Sequence, residues 1–291
     1  MIGFAEWNMR AELAALWRIC FHEPVRYPNY FLNNLFRPRD CLVYRVNGEI
    51  AAAVYLLPAR LAAEGRGAQA HYIFAAGTLP RYRSRGYMAS LLACAAIRGA
   101  ERGDEYSAVL PANGPLYPFY AHNGYFDFFR VRVVSVPRRR LRGLAAPGPA
   151  VKILAAGREL NALRCAVLGD RKGSVLWSDG MFHFAVGFGA AYGDRLVCAR
   201  GNGPSYALCR REEDGACSVR EAMVSPGGFG ALAAAVLRAA PAEIYRFRLP
   251  CGCGPFPGEG TEERCGMLRP VGGAPPPQAG TPAPYLGLAL D

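Results

Sequence analysis

The sequence predicts an α/β protein built from two tandem domains, each a mixed, mostly antiparallel sheet flanked by helices, the second a degenerate copy of the first. Over residues 1–140 the order reads helix, hairpin, strand, helix, strand, helix, strand. A Pro/Gly-rich basic stretch at 141–150 then reads as a linker, and a weaker version of the same order returns over 151–291. At 291 residues, 52% of them hydrophobic and 20% charged, the chain has material for two packed cores and lacks the signature of disorder.

From Glu6 to Phe21 apolar residues recur at helical spacing through Leu13, Leu16, Trp17 and Cys20, and a second helical stretch covers Tyr30 to Phe36. Asn47-Gly48 between two apolar runs is a strong short hairpin signal, giving strands from Cys41 to Val46 and from Glu49 to Leu57. A third strand, HYIFAAGTL, runs into RSRGYMASLLACAAIRGA, where two arginines and a glycine precede an apolar helix. Beyond the turn ERGDE, YSAVL reads as a buried strand, PLYPFYAHNGY as a short helix stopped near Gly124, and FDFFRVRVVSV as a closing strand. In the second half the pattern predicts a helix from Val151 to Leu168 and strands at Leu196 to Ala199, Tyr206 to Arg210 and Cys217 to Ala222. The helix GFGALAAAVLRAA and the strand EIYRFRLP complete it.

Composition narrows the function classes. The N-terminus shows no basic-then-apolar order and no apolar run approaches a spanning length, so a cytoplasmic protein with no membrane partner is expected. Ten cysteines without a secretory signal fit reduced thiols, most of them small buried hydrophobes. Cys251, Cys253 and Cys265 make the one candidate metal cluster, but the C-x-C spacing has no fourth ligand near it, and no metal is expected. The net charge of +11 favours anionic partners, with much of the excess between Arg130 and Arg142. No helix-turn-helix, zinc-finger or aromatic RNA-binding signature accompanies it, so nucleic acid is not the expected partner.

A helix start presents unpaired N–H groups and the positive end of its dipole, and a glycine there lets a ligand approach the main chain. Arg83 and Arg85 add guanidiniums and Ser84 a hydroxyl, which together suit a phosphate. Taken alone, the tetrapeptide reads equally as an ordinary basic loop. In its setting, Arg83-Ser84-Arg85-Gly86-Tyr87-Met88 resembles the Arg/Gln-x-x-Gly-x-Gly/Ala signature of the GNAT acetyltransferases, departing at Met88. Asn113 followed by FYAHNGY is similar to the same family's Asn…Phe-Tyr-x-x-x-Gly-Phe/Tyr segment. Tandem domains with a degenerate second copy resemble the enhanced intracellular survival (Eis) branch. The second copy reaches its helix through SPGGFGAL, with no arginine ahead of it, so no anion site is expected there.

The resemblance implies an N-acetyltransferase that moves an acetyl group from acetyl-CoA to an amine, on a small molecule or a peptide, by direct transfer in a ternary complex. It implies that Arg83, Ser84, Arg85, Gly86, Tyr87 and Met88 hold the pyrophosphate, that the main chain of Ala76, Gly77 and Thr78 meets the pantetheine arm, and that Asn113 joins the coenzyme site. It also implies Tyr120 as general acid and, from the Eis branch, the terminal carboxylate of Asp291 as a candidate base. Without the resemblance, Tyr120 reads as a packing residue beside Tyr117 and Phe119. His71 reads as a base, a relay or an inert strand residue, and His122 as surface. Two other readings stay open: a non-catalytic acyl-CoA-binding or regulatory module, and a basic nucleic-acid-binding protein.

Overall fold

In a computed structural model, which describes residues 1–63, 67–146, 156–277 and 280–288, the chain divides into two units. The first comprises Met1–Arg60, Gly67–Asp127 and Gly266–Pro277, and the second Leu61–Arg66, Phe128–Cys265 and Gln278–Asp291. In chain order the first unit carries β1 (Ile2–Phe4), α1 (Arg10–Phe21), α2 (Arg26–Asn34), β2 (Cys41–Val46), β3 (Glu49–Leu61), β4 (Ala68–Thr78), α3 (Tyr87–Glu101), β5 (Tyr106–Val109), α4 (Leu116–His122) and β6 (Phe126–Asp127). The second carries β7 (Arg130–Pro137), α5 (Arg138–Leu144), α6 (Ala156–Gly169), β8 (Val175–Leu176), α7 (Asp179–Ala191), β9 (Arg195–Arg200), β10 (Pro204–Arg211), β11 (Cys217–Val224), α8 (Phe229–Ala239), β12 (Ile244–Leu249) and β13 (Thr261–Arg264). The last strand, β14 (Met267–Pro270), returns to the first unit.

The first sheet runs in the order β1, β2, β3, β4, β5, β14, β6. Asn47 and Gly48 both take positive φ, 49° and 86°, the turn that joins β2 to β3 as an antiparallel hairpin. Between β4 and β5 the pairing is parallel, with α3 as the crossover, and β14 lies antiparallel to β5. Strand side chains alternate between faces. One face packs Tyr55 and Phe74 against Trp17 of α1 and Phe31 of α2, whose rings lie 5.4 Å apart. The other buries Leu42, Val54, Ile73 and Val109 under Leu91, Leu92 and Ala95 of α3 and Tyr117 and Tyr120 of α4. The spacing of the α3 residues follows the helical repeat, which is why the Ala- and Leu-rich run settles as a helix on this face.

The second sheet runs in the order β9, β10, β11, β12, β7, β13, with β11 and β12 parallel and β7 antiparallel to both β12 and β13. Set beside β2, β3, β4, β5, β14, β6, it is the same topology, with α8 in the place of α3. The fifth position is filled crosswise in both sheets. The strand after β6 joins the second sheet, and the strand after β13 joins the first.

This exchange corrects two sequence expectations. FDFFRVRVVSV is not one strand: it breaks at Phe128 and Phe129, both buried, and its two parts enter different sheets. The division into 1–140 and 151–291 accordingly differs from the observed units, because the 130–137 strand belongs to the second and 267–270 to the first. The start of the expected linker, residues 141–144, is helical as well, since Arg138–Leu144 forms α5 with Leu141 fully buried. Of the helix expected from Val151, residues 151–155 lie outside those described. The α2 helix begins at Arg26, earlier than the periodicity suggested.

Candidate active site

The first unit holds a groove of main-chain groups that ends at a helix start. The parallel ladder between β4 and β5 stops at Ile73 opposite Val109, where β5 ends, while β4 continues to Thr78. Its far edge stays paired, since the Leu79 N–H donates to the Ala51 carbonyl at 2.9 Å. Past Ile73 the β4–β5 ladder ends, so the main chain of Ala75 to Gly77 runs on beyond the end of β5. Ala75 sits at φ 44°, a left-handed conformation costly for alanine, which turns the strand at the point where it leaves β5. Gly77 lies where a Cβ would come within 3.2 Å of the Cys20 and Leu16 side chains, so α1 approaches the strand closely there.

Ser84 at φ 60° and Gly86 at φ 77° put two left-handed residues around Arg85, the kind of alternation that turns successive N–H groups toward one point. Gly86 caps α3, and the Ser90 N–H is the first to close on it, bonding the Gly86 carbonyl at 2.9 Å. The amides ahead of it are those a helix start leaves open. Arg83, Ser84, Arg85 and Gly86 are all exposed. The loop is held from outside the predicted set by Glu49, which pairs with Arg81 and accepts from the Tyr82 hydroxyl at 2.9 Å, and from within it by Arg83 Nε, which donates to the Thr78 carbonyl at 3.2 Å. The Arg85 guanidinium sits 5.7 Å from the Tyr82 ring centre. Tyr87 stacks on Tyr44 with centres 4.2 Å apart. Sequence reading missed Glu49, Tyr44 and Tyr82, for nothing in their spacing links β2 and β3 to the helix start.

Met88 packs against the core under α3, as Ala76 and Tyr87 do, so the residue that departs from the family pattern directs its side chain inward. Tyr120 belongs to the same core cluster, edge-on to Phe119 at 5.3 Å and to Tyr125 at 5.6 Å. Burial, with a smaller contribution from Tyr125, pushes its phenol well above the ordinary tyrosine range. Asn113 is exposed in the turn before α4, where its carbonyl accepts from the Leu116 N–H at 3.2 Å. Asp291 lies outside the described residues.

His71 is fully buried. Its Nδ1 bonds Asp104 at 2.8 Å, Asp104 bonds Arg102 at 2.6 Å, and Arg102 reaches Asp40 at 3.1 Å. Burial lowers the His71 pKa against the opposing pull of Asp104, leaving a neutral ring that donates from Nδ1 while Nε2 has no partner. A Cβ on Gly99 would stand 2.5 Å from the ring, so α3 closes over it. With no exposed surface, His71 is a packing element of the first unit rather than a base in contact with solvent.

In the second unit the place equivalent to the α3 start is filled by its own hydroxyls. The Ser225 N–H donates to Ser205 Oγ at 3.1 Å, a Cβ on Gly228 would meet that same oxygen at 2.6 Å, and no arginine precedes α8. Among the described residues no group of three or more His, Cys, Asp or Glu gathers as a metal site, and no helix is long and apolar enough to cross a membrane.

Residues 8–126 match the model of the acetyltransferase (GNAT) domain. No curated protein matches the chain in sequence. Among solved structures, the GCN5-related N-acetyltransferase from Kribbella flavida superposes with a TM-score of 0.72 at 17% identity, over 94% of this chain and 72% of that one. Eis1 from Mycobacterium abscessus gives 0.65 at 16%, over 93% and 74%. A GCN5-related N-acetyltransferase from Anabaena variabilis gives 0.71 at 14%, over 92% and 72%. At these identities the likeness is one of fold, and it extends through both units.

Proposed function

We propose, from the premise that the chain carries a GNAT acetyltransferase domain over residues 8–126, that this acyltransferase moves an acetyl group from acetyl-CoA to a primary amine by direct transfer. The observation that carries the reading is the stretch of β4 that runs on past the end of β5 toward the open start of α3, beside Arg83 and Arg85. A pantetheine arm is peptide-like and can complete that edge through Ala76, Gly77 and Thr78, as an added strand does. Its pyrophosphate then meets the amides of residues 84–88, the Ser84 hydroxyl and two guanidiniums, where the helix dipole favours negative charge. Asn113, on the turn into α4, joins the coenzyme side of the site.

Transfer requires a neutral amine, stabilisation of the tetrahedral oxyanion and protonation of the departing thiolate. Tyr120 is assigned the last task. Burial holds its phenol protonated at neutral pH, so the proton is present when the thiolate forms. Asp291 is carried in the proposal as the base that accepts the amine proton, on the family resemblance alone. The second unit, lacking arginine at the equivalent helix start, is assigned no second coenzyme site.

The test is calorimetric titration with coenzyme A together with acetylation of a panel of small amines, peptide N-termini and lysyl peptides, each with wild type and Tyr120→Phe. Expected are micromolar coenzyme binding in both proteins and, for at least one acceptor, a loss of kcat on the order of 10² or more in the variant. Absence of coenzyme binding overturns the reading; binding without turnover of any amine reduces it to an acyl-CoA-binding module. Unchanged turnover in Tyr120→Phe removes the general-acid assignment alone.

A further inference from the structure

We propose, on the basis of the coenzyme reading above, that Glu49 is a positioning residue for the coenzyme. It holds the Tyr82 ring, which in turn places Arg85 and Tyr87 at the pyrophosphate site, and so it strengthens the binding of an anion although it is itself an anion. The start of β3 grips the segment ahead of α3 at two residues, Glu49 and Ala51. The Ala51 carbonyl accepts from the Leu79 N–H at 2.9 Å. The Glu49 carboxylate receives Arg81 on one oxygen and the Tyr82 hydroxyl on the other, the latter at 2.9 Å. Pro80–Tyr82 makes a single helical turn there, closed by the Tyr82 N–H on the Leu79 carbonyl at 2.8 Å. Tyr82 is thus fixed both at its main chain and at its phenol end.

The fixed ring touches the helix start. The Arg85 guanidinium lies 5.7 Å from its centre and that of Arg81 5.2 Å. Tyr87, the first residue of α3, stands 6.2 Å away and stacks in turn on Tyr44 of β2. Arg85 is exposed, with left-handed residues on either side at Ser84 and Gly86. A cation–π contact with an anchored ring narrows the orientations that such a long side chain samples before a phosphate arrives, which lowers the ordering cost of binding. The hydrogen bonds from Arg81 and Tyr82 hold the Glu49 carboxyl below the ordinary carboxylate range, so it is ionised at neutral pH. Charge alone then calls for the opposite effect: removing a carboxylate near an anion site, and releasing Arg81, would tighten coenzyme binding. Loss of positioning would weaken it. The sign of the change separates the two.

The test is calorimetric titration of coenzyme A into the full chain and its Glu49→Ala, Glu49→Gln and Tyr82→Phe variants, with the Glu49→Ala/Tyr82→Phe pair, all at one salt concentration. Expected is a dissociation constant about five- to tenfold higher in Glu49→Ala, as befits one lost hydrogen bond to a charged group, and only about two- to threefold higher in Glu49→Gln. The glutamine amide oxygen still accepts from Tyr82, and that rescue is not expected from charge or from overall stability. Tyr82→Phe keeps the ring and loses the bond, so it should weaken binding as Glu49→Ala does, and the double variant should be no weaker than either single one. Tighter or unchanged binding in Glu49→Ala overturns the proposal, as does additivity of the two changes. Should Glu49→Ala fail to fold, Tyr82→Phe, which removes one oxygen atom, reads the same bond, and unchanged binding there overturns the proposal equally. Failure of the wild type to bind coenzyme A is a separate result, which overturns the coenzyme reading and this proposal with it.

Discussion

Replacing Glu221 by leucine should cost the second unit about 3–5 kcal/mol, because it leaves Arg164 charged, buried and unpaired. Arg164 is 0% exposed and Glu221 1%, with Nε to Oε1 at 3.2 Å. Around them, Arg164 also donates to the Val175 carbonyl at 2.8 Å and the Leu286 carbonyl at 3.1 Å, and Glu221 accepts from the Tyr206 hydroxyl at 2.6 Å. Every strong donor is thus matched, and removing the carboxylate strands a charge in a medium that solvates it poorly. At roughly 2–4 °C per kcal/mol for a unit of this size, the melting temperature should fall by about 6–20 °C. Arg164→Met with Glu221→Leu removes the charge with its partner. It leaves two carbonyls and one hydroxyl short of a partner, about 1 kcal/mol each, and packs better, so the double variant should lie within about 2 kcal/mol of wild type. Urea unfolding followed by Trp177 fluorescence, with Trp7 and Trp17 changed to phenylalanine, reports on this unit. The reasoning fails if Glu221→Leu loses less than about 1 kcal/mol, or if the double variant is no more stable than the single one.

Two further expectations concern the first unit. Gly86→Ala places a side chain at φ 77°, which costs about 1–2 kcal/mol of local strain at the α3 start, and Arg85→Ala removes one exposed cation. Each should weaken coenzyme A binding on the order of tenfold with kcat changed far less, and unchanged affinity in both would refute the pyrophosphate assignment. His71 titrates lower folded than unfolded, so the unfolded chain takes up its proton first; the stability this ring contributes is present above about pH 6.5 and is lost as pH falls below it. Melting temperature between pH 8 and 5 should decline in wild type and decline less steeply in His71→Gln, and parallel profiles would show that the ring is not the group responsible.

The local elements of the first unit were legible because each has a short-range cause. The Asn47-Gly48 hairpin, the α3 stripe and the RSRG entry to that helix are written in neighbouring residues. What escaped depends on separations the sequence does not display. Helix α7 is apolar on nearly all sides and contains three glycines, so no amphipathic period announces it. Helix α5 looks like a basic linker because a single leucine anchors it. Arg164 and Glu221 are 57 residues apart, and neither alone signals burial. In the candidate site, the arginines and glycine of the loop were readable, whereas the hold of Glu49 on that loop and the inward turn of Met88 needed the fold.

The crosswise strands bear on how the chain is made. Met267 pairs with Val109, closing a loop of roughly 160 residues, among the slowest kinds of contact to form. As the polypeptide leaves the ribosome, the first sheet has the whole coenzyme groove in place but an open edge at β5, and it keeps that edge until nearly all of the second sheet has been synthesised. An exposed edge in so long-lived an intermediate invites pairing with another chain. A fragment ending at residue 140 would carry every residue of the proposed coenzyme site and still lack the strand that finishes its sheet, so a soluble form of it would need β14 supplied, in sequence or as a peptide.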